Sequence, residues 1–325
     1  MRRVICGGHA GVRVTCTVLV LLWNFAVHAA PPARPEKETV LWEHLASRIS
    51  DIEHHLDGVL GVAILDLDTR RMLLIHPDEV FPQASSIKIT VLAELYRQSA
   101  QAAQGVPHNA ALSDTYIVRA ADLVPDSDIM GGLTPGVTTL TNRDLATMMV
   151  AVSDNAATNV LIDRVGMDNV QRLMQNQGLS HTLLRRKMMD LRAAAEGREN
   201  VSTPREMMAF LENIYRQQIF GGELLKDFFT VLATHKDSWI PVDLPEGLRI
   251  ANKPGALEGV RADSGIVFLA NRPYVICVMT TYLGNERAGE DAIRSVSRAA
   301  YDMFARLSRS SGLGRVISPY SSNGR

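Results

Sequence analysis

Hydrophobic positions recur at two different spacings along the chain, and the change between them outlines the predicted elements. Near the start, apolar residues recur at helical spacing and share one face: Leu41, Leu45, Ile49, Ile52 and Leu56. Apolar runs of strand length follow at 61–67 and 71–75, joined by polar turn residues. The pattern therefore predicts one helix and then two paired strands.

The middle of the chain, from Ser85 to about Phe229, has mostly helical spacing. Residues Thr141 to Asp144 resemble a capping box at the start of one of these helices. Strand patterns return near the end, at 248–251, 265–269 and 274–282, and an amphipathic helical pattern follows at 290–307. Strands at both ends with helices between them predict a sheet built from both termini and a helical insertion. A crevice between these layers is a natural place for a site.

The first residues have the pattern of a secretory signal and not of a folded element. Arginines at positions 2, 3 and 13 precede an almost entirely apolar run over 14–25, and small residues follow. We expect a signal peptide at 1–29, a proline-rich linker at 30–39 and an exported protein, periplasmic or extracellular. An uncleaved membrane anchor is the alternative. The Ser- and Gly-rich residues 309–325 are predicted to form a flexible tail.

Composition narrows the classes of protein that the chain can represent. Its three cysteines are Cys6, Cys16 and Cys277, so removal of the signal leaves one thiol and no internal disulfide. Net charge is −1 without a basic block, which gives nucleic-acid binding no support. The histidines at 44, 54 and 55 lack paired metal-ligand spacing, so we expect no metal and no cofactor.

The segment Ser85-Ser86-Ile87-Lys88 is the first candidate for chemistry, and it lies where a helix is predicted to begin. Residues three apart lie on one face of a helix, which brings the Lys88 amine within reach of the Ser85 hydroxyl. A neutral amine beside a serine can take its proton and activate it as a nucleophile. Taken alone, the same spacing also fits a capping serine and a solvated lysine.

Two further segments favour a catalytic role for this motif. Ser153-Asp154-Asn155 lies between two helical runs, and Lys253-Pro254-Gly255 follows a strand-like run. Together they supply a nucleophile at a helix start, a hydroxyl and an amide in a loop, and a second cation at a strand edge. Each segment is uninformative alone, whereas all three in this order indicate a nucleophilic active site.

With these three segments in order, the chain resembles the class A β-lactamases among the penicillin-recognising serine hydrolases. The resemblance spans about residues 40–308 and includes the landmarks Phe81 to Ser85, Ser153 to Leu161 and Thr203-Pro204. It implies an α/β (α+β) domain with an antiparallel sheet of about five strands flanked by helices. The sheet would come from 40–83 and 246–308, with an inserted all-α subdomain at 84–245.

The resemblance also implies a role for each matching residue. Ser85 would be the acylated nucleophile, Lys88 its proton partner, and Ser153 the relay to the leaving nitrogen. Asn155 would hold the substrate amide, and Lys253 would supply positive potential. Gly255 would border the substrate, and the oxyanion hole would use the backbone N–H groups of Ser85 and Ala256.

Two positions depart from the family pattern. The deacylating glutamate is replaced by Lys187 or Met188, depending on which landmark sets the count, and neither can act as a carboxylate base. Asp190, Glu196 and Glu199 are nearby substitutes, and Asp190 is the best placed. Pairing of Asp190 with a neighbouring cation, and solvent exposure of the two glutamates, are the more ordinary roles.

Pro254 replaces a threonine whose hydroxyl helps to bind the substrate carboxylate. Arg261 is a candidate replacement, and a plain surface arginine is the alternative.

The leading hypothesis is a serine hydrolase that opens a β-lactam or related cyclic amide through a Ser85 acyl-enzyme. A D,D-peptidase-like amidase or esterase acting on another acyl donor is the first alternative. A β-lactam-binding sensor that acylates without efficient turnover is the second. In each case we expect a small-molecule or peptidoglycan-like substrate, a monomer, and no stable membrane anchor after signal cleavage.

Overall fold

A five-stranded antiparallel sheet lies at the centre of the computed structural model, which describes residues 37–107 and 110–316. Its spatial order is β2-β1-β9-β8-β7. The strands are β1 (Val59–Asp66), β2 (Met72–Ile75), β7 (Ile250–Leu257), β8 (Val260–Val267) and β9 (Tyr274–Thr281). The pairing of β1 with β9, from Val59 opposite Thr281 to Asp66 opposite Tyr274, joins the two ends of the chain. The predicted antiparallel sheet built from both termini is confirmed.

Helices cover the sheet on both faces. Helices α1 (Lys37–His55) and α9 (Glu286–Leu307) pack together on one face, where a hydrophobic core includes Ile49, Val278 and Phe304. The inserted region supplies α2 (Lys88–Ala103), α3 (Asn142–Ala151), α4 (Asn155–Val165), α5 (Met167–Asn176), α6 (Leu191–Ala195), α7 (Pro204–Tyr215) and α8 (Gly222–Leu232). A second core lies between these helices and the opposite face of the sheet.

The inserted region is mostly helical, but it is not all-α as predicted. Strand β4 (Thr115–Ile117) pairs with β5 (Thr139–Thr141), and β3 (Phe81–Pro82) pairs with β6 (Val201–Ser202). The residues of β4 and β5 are exposed or half-buried, so backbone pairing and not a buried apolar face defines these strands. Without a buried face they leave no alternating pattern in the sequence.

Several predicted boundaries shift. Helix α1 begins at Lys37, so the last residues of the predicted linker are helical. Strands β7 and β8 extend well beyond the predicted runs. The apolar pattern did not reveal the added residues, because many of them are polar or glycine. The start of the predicted tail forms a turn with a bridge between Ser310 and Val316. The predicted signal peptide and the rest of the tail lie outside the described residues. No helix in the described part is long and apolar enough to cross a membrane.

Candidate active site

Ser85 lies on a 3₁₀ turn, Ala84–Ile87, that leads directly into α2. A 3₁₀ turn has three residues per turn, so Ser85 and Lys88 are stacked on one side more closely than in an α-helix. Ala84, immediately before the serine, has a φ of 47°, a left-handed conformation that is uncommon outside glycine. Ser85 is half-buried and Lys88 is fully buried. The hydroxyl is therefore accessible to a ligand, whereas the amine is withdrawn from water.

Ser153 lies in the short connection between α3 and α4, and its φ of 58° is also left-handed. The next residue, Asp154, fixes this turn. Its carboxylate caps α4 by accepting from Ala157 N at 2.9 Å, and it also accepts from the backbone N–H groups of Ile129 and Met130. Strained residues persist where the surroundings hold them, and they cluster at functional sites.

Lys253-Pro254-Gly255 lies on β7, the edge strand of the sheet, where a proline costs no hydrogen bond to a further strand. A Cβ built on Gly255 would lie 2.4 Å from Gln83 O and 2.7 Å from Ser86 N. Such distances exclude a side chain, so glycine is required for the strand edge to contact the turn that carries Ser85. Ala256 follows on the same edge and is exposed.

Two lysine amines from different elements meet at one serine hydroxyl. The Lys88 Nζ lies 2.6 Å from Ser153 O, 3.1 Å from Ser153 Oγ and 2.9 Å from Asn155 Oδ1. The Lys253 Nζ lies 3.1 Å from the same Ser153 Oγ and donates to Pro254 O at 3.0 Å. We call Lys88, Ser153, Asn155 and Lys253 the lysine cluster. It joins α2, the α3–α4 turn, α4 and β7.

Neither lysine of the cluster has a carboxylate within ion-pair distance among the described residues. Burial holds the pKa of Lys88 well below its usual range, and the positive charge of Lys253 lowers it further. Burial also lowers the pKa of Lys253 to about 7, against the opposing effect of Asp263. Burial and the neighbouring cation therefore both favour the neutral form of the Lys88 amine.

Three oxygen atoms surround the Lys88 amine: Ser153 O, Ser153 Oγ and Asn155 Oδ1. An ammonium group can donate to all three, whereas a neutral amine can donate to Ser153 O and Asn155 Oδ1 while its lone pair faces the Ser153 hydroxyl. These contacts therefore fit both charge states, and the lowered pKa is what favours the neutral amine. The Ser85 hydroxyl has no hydrogen-bond partner within the described residues, and catalytic contacts are often loose without substrate.

The structure does not bring Arg261 into this site. On β8 it pairs with Ala256, one residue beyond Gly255, and its side chain projects from the face of the sheet that packs against α9. There the guanidinium forms ion pairs with Glu286 at 3.2 Å and Glu290 at 2.9 Å. The prediction of Arg261 as a carboxylate ligand is not supported, because strand alternation places it opposite the cleft.

The loop that should supply a deacylating base is held beside the cluster by one asparagine. Asn159 lies one turn after Asn155 on α4, so both side chains share a face. Asn159 accepts from Met188 N at 2.8 Å and donates to Met188 O at 3.0 Å. The Met188 side chain is only 7% exposed, whereas Lys187 pairs with Asp163 at the surface. Met188 therefore occupies the inward position, and an apolar side chain fills it.

Asp190 does not replace the missing base. It is exposed and caps the short helix α6, where its carboxylate accepts from Ala193 N at 2.9 Å. No contact joins it to the lysine cluster in the described structure. The cap explains its orientation, because the backbone N–H groups at the start of α6 hold the carboxylate there.

Sequence reasoning missed the contacts of Asn159 with the main chain of Met188, although the spacing of four residues between Asn155 and Asn159 was visible.

The base of this loop is attached directly to the nucleophile segment. Gln83 N donates to Asn200 O at 2.8 Å, and Phe81 pairs with Ser202 between β3 and β6. Asn200 also accepts from the backbone of Arg186 inside the loop.

Among the described residues, no group of three or more His, Cys, Asp or Glu side chains could hold a metal ion.

Comparison with known proteins identifies the family. A sequence model of the Beta-lactamase enzyme family matches residues 44–304, which is most of the chain. The protein belongs to this family. A beta-lactamase of Bacillus licheniformis is 26% identical over 82% of this chain and 84% of its own length.

Solved structures agree with this assignment. A beta-lactamase from Sphaerobacter thermophilus superimposes with a TM-score of 0.73 at 30% identity, covering 81% of this chain and 98% of its own. A mutant of PBP-A, solved as an acyl-enzyme complex with penicillin G, gives 0.72 at 26% identity. It covers 86% of this chain and 100% of its own.

Proposed function

We propose that the protein is a class A β-lactamase-type serine hydrolase that forms an acyl-enzyme at Ser85. The observation that carries the proposal is the buried amine of Lys88, one 3₁₀ turn from Ser85 and 3.1 Å from the Ser153 hydroxyl. Its lowered pKa suits it to act as the base that accepts a proton. A penicillin-G acyl-enzyme of the related PBP-A mutant supports a β-lactam as the acyl donor.

In the proposed reaction, Lys88 accepts the Ser85 proton as Oγ attacks the carbonyl carbon of a β-lactam or related cyclic amide. The backbone N–H groups of Ser85 and Ala256 would stabilise the oxyanion, a contribution on the order of 3 kcal/mol for one donor. The proton then passes through Ser153 to the leaving nitrogen as the C–N bond breaks. Lys253, which contacts the same hydroxyl, favours this direction of transfer. Asn155 would hold the substrate amide.

One observation favours a second candidate function. Hydrolysis of the ester at Ser85 needs an activated water, but the inward position of the loop holds Met188 and Asp190 caps α6. An acyl-enzyme that persists is the expected consequence. This behaviour suits a β-lactam-binding sensor, or a D,D-peptidase-like amidase or esterase whose natural acyl donor differs. For each of these functions we propose an exported, monomeric protein with a small-molecule substrate.

Intact mass measurement of the mature protein with a penicillin tests the proposal. We expect a mass increase equal to the penicillin, located on the peptide that contains Ser85. The Ser85→Ala variant should form no adduct, and Ser86→Ala, at the buried neighbouring serine, serves as the matched control. An adduct that survives in Ser85→Ala, or its absence from the wild type with penicillin and ester donors alike, would contradict the proposed function.

A further inference from the structure

The chain turns back on itself just after α9, in residues 310–316, which we call the C-terminal turn. Within this turn, Ser311 N donates to Arg315 O at 2.9 Å. The amine of Lys37, the first residue of α1, donates to Leu313 O at 2.9 Å. The turn is therefore attached to the start of α1 as well as to the end of α9.

Two large apolar side chains of the C-terminal turn face solvent. Leu313 is 81% exposed and Val316 is 63% exposed. A single exposed apolar side chain is ordinary on a protein surface. These two side chains are informative because of the charges around them.

Cations without an acidic partner surround the C-terminal turn. Four side chains in this region form no ion pair within the described residues: Lys37, Arg306, Arg309 and Arg315. The carboxylates beside them pair with other arginines, Glu38 with Arg272 at 3.0 Å and Asp302 with Arg298 at 2.9 Å. The whole chain has a net charge of −1, so this group of cations is a local feature and not a result of basic composition.

A cavity of about 510 Å³ lies between the C-terminal turn and the two helix ends, and Lys37, Arg306 and Arg309 contribute to its lining. Arg309 Nε donates to Ala305 O at 2.9 Å, which uses only one of the N–H groups of this side chain. A guanidinium presents N–H groups in a planar fork that matches the oxygen atoms of a phosphate. The cavity is therefore suited to a phosphate group.

We propose that the C-terminal turn and this cavity bind reversibly to the surface of a bilayer that contains anionic phospholipids. A lipid phosphate lies against Arg306 and Arg309, and Leu313 and Val316 enter the boundary between headgroups and acyl chains. A free phosphate would offset the same positive charges but would give the two apolar side chains no apolar environment. The combination of cations and exposed apolar side chains favours a bilayer.

The proposed surface is separate from the lysine cluster. Helices α1 and α9 cover the face of the sheet from which Arg261 projects, whereas Lys253 projects from the opposite face. A bilayer at the C-terminal turn would therefore leave the cleft open to a substrate in solution. The inference does not depend on the proposed function. The predicted signal peptide precedes Lys37 in the chain, so a bilayer is a surface that this face would meet during export.

Vesicle sedimentation of the mature protein tests the inference. Binding is compared between vesicles of phosphatidylcholine alone and vesicles of an equimolar mixture with phosphatidylglycerol. We expect binding to the mixed vesicles, weakened by added salt because exposed charges are screened. Combining Arg306→Gln with Arg309→Gln should weaken this binding by about 25-fold, or about fivefold for each cation near an anionic surface. Leu313→Ser should weaken it by about tenfold, through loss of apolar burial.

Arg287→Gln and Val137→Ser are the matched controls, because each replaces an exposed side chain of the same kind elsewhere on the protein. Arg287 lies at the opposite end of α9 from Arg306. Both controls should bind the mixed vesicles as the wild type does. Because every replaced side chain is exposed, all variants should also keep the thermal unfolding temperature of the wild type and its adduct at Ser85.

Three results would overturn the inference: no binding to the mixed vesicles, equal binding to both kinds of vesicle, or equal losses in the controls. Competition by inorganic phosphate together with unchanged binding of Leu313→Ser would also overturn it, in favour of a site for a free anion. A Ser85 adduct alongside any of these results would leave the proposed function standing. Lipid binding without a Ser85 adduct would support the membrane surface and contradict only the proposed function.

Discussion

The lysine cluster and the loop spanning residues 183–201 lie next to each other, and both are held by side chains of α4. In the cluster, Asn155 Oδ1 lies 2.9 Å from the Lys88 amine, so the side chain that it positions is titratable. In the loop, Asn159 holds the main chain of Met188 with comparable bonds, yet the side chain that it positions is apolar. The difference separates two chemical steps. In the proposed reaction, forming the acyl-enzyme depends on the cluster, whereas releasing the acyl group depends on a carboxylate base, and the loop places Met188 in the inward position instead.

The largest expected effect comes from removing the base of the cluster. Lys88→Met keeps an unbranched side chain, one atom shorter, that cannot accept a proton. Acylation of Ser85 should therefore slow by roughly 10²- to 10⁴-fold, the usual contribution of general base catalysis. The rate is measured by stopped-flow mixing with a chromogenic β-lactam. Lys187→Met, at the surface of the loop, is the control and should leave the rate unchanged. Equal rates in the wild type and Lys88→Met would exclude Lys88 as the base.

Restoring a carboxylate to the loop should mainly affect the second step. In Met188→Glu the new side chain occupies the inward position that the Asn159 clamp defines. We expect release of the acyl group to accelerate by about 10²-fold, at the lower end of general base catalysis. Lys187→Glu introduces the same group one residue away, facing outward, and should not change release. An unchanged release rate in a folded Met188→Glu protein would show that the loop is not the site of the missing base.

The lysine cluster should also make the free energy of unfolding depend on pH. The pKa of Lys253 is about 7 in the folded protein and 10.5 as the ordinary value, so between these limits the unfolded state binds more protons. Stability of the wild type relative to Lys253→Met should therefore rise with pH, by on the order of 2 kcal/mol from pH 7 to 9. Urea unfolding at several pH values measures this difference. Lys226→Met, at an exposed ion pair, should show no such trend.

Sequence spacing was sufficient for prediction wherever one short segment contains both the functional side chains and the turn that positions them. The Ser85 to Lys88 interval fits a single turn, and the Thr141 capping box is present as predicted, with Asp144 N donating to Thr141 Oγ1. Strand pairing between the two ends of the chain also followed from apolar runs long enough to be recognised. In each case a local pattern determines the result.

Features that depend on tertiary packing were not predictable in the same way. Arg261 and Lys253 lie on adjacent strands, and only the register of β7 with β8 reveals that they project from opposite faces. The choice between Lys187 and Met188 depended on the Asn159 contact, because a one-residue shift in counting changes which side chain faces inward.

We expect Ser85 to be acylated readily and the acyl group to be released slowly. One intact-mass time course with a chromogenic penicillin measures both steps, by comparing the appearance of the Ser85 adduct with the accumulation of hydrolysed product. The contrast between the lysine cluster and Met188 predicts a stoichiometric adduct within the burst phase, followed by slow product formation at the rate of adduct decay. Rapid, continuous product formation without an accumulating adduct would contradict this account.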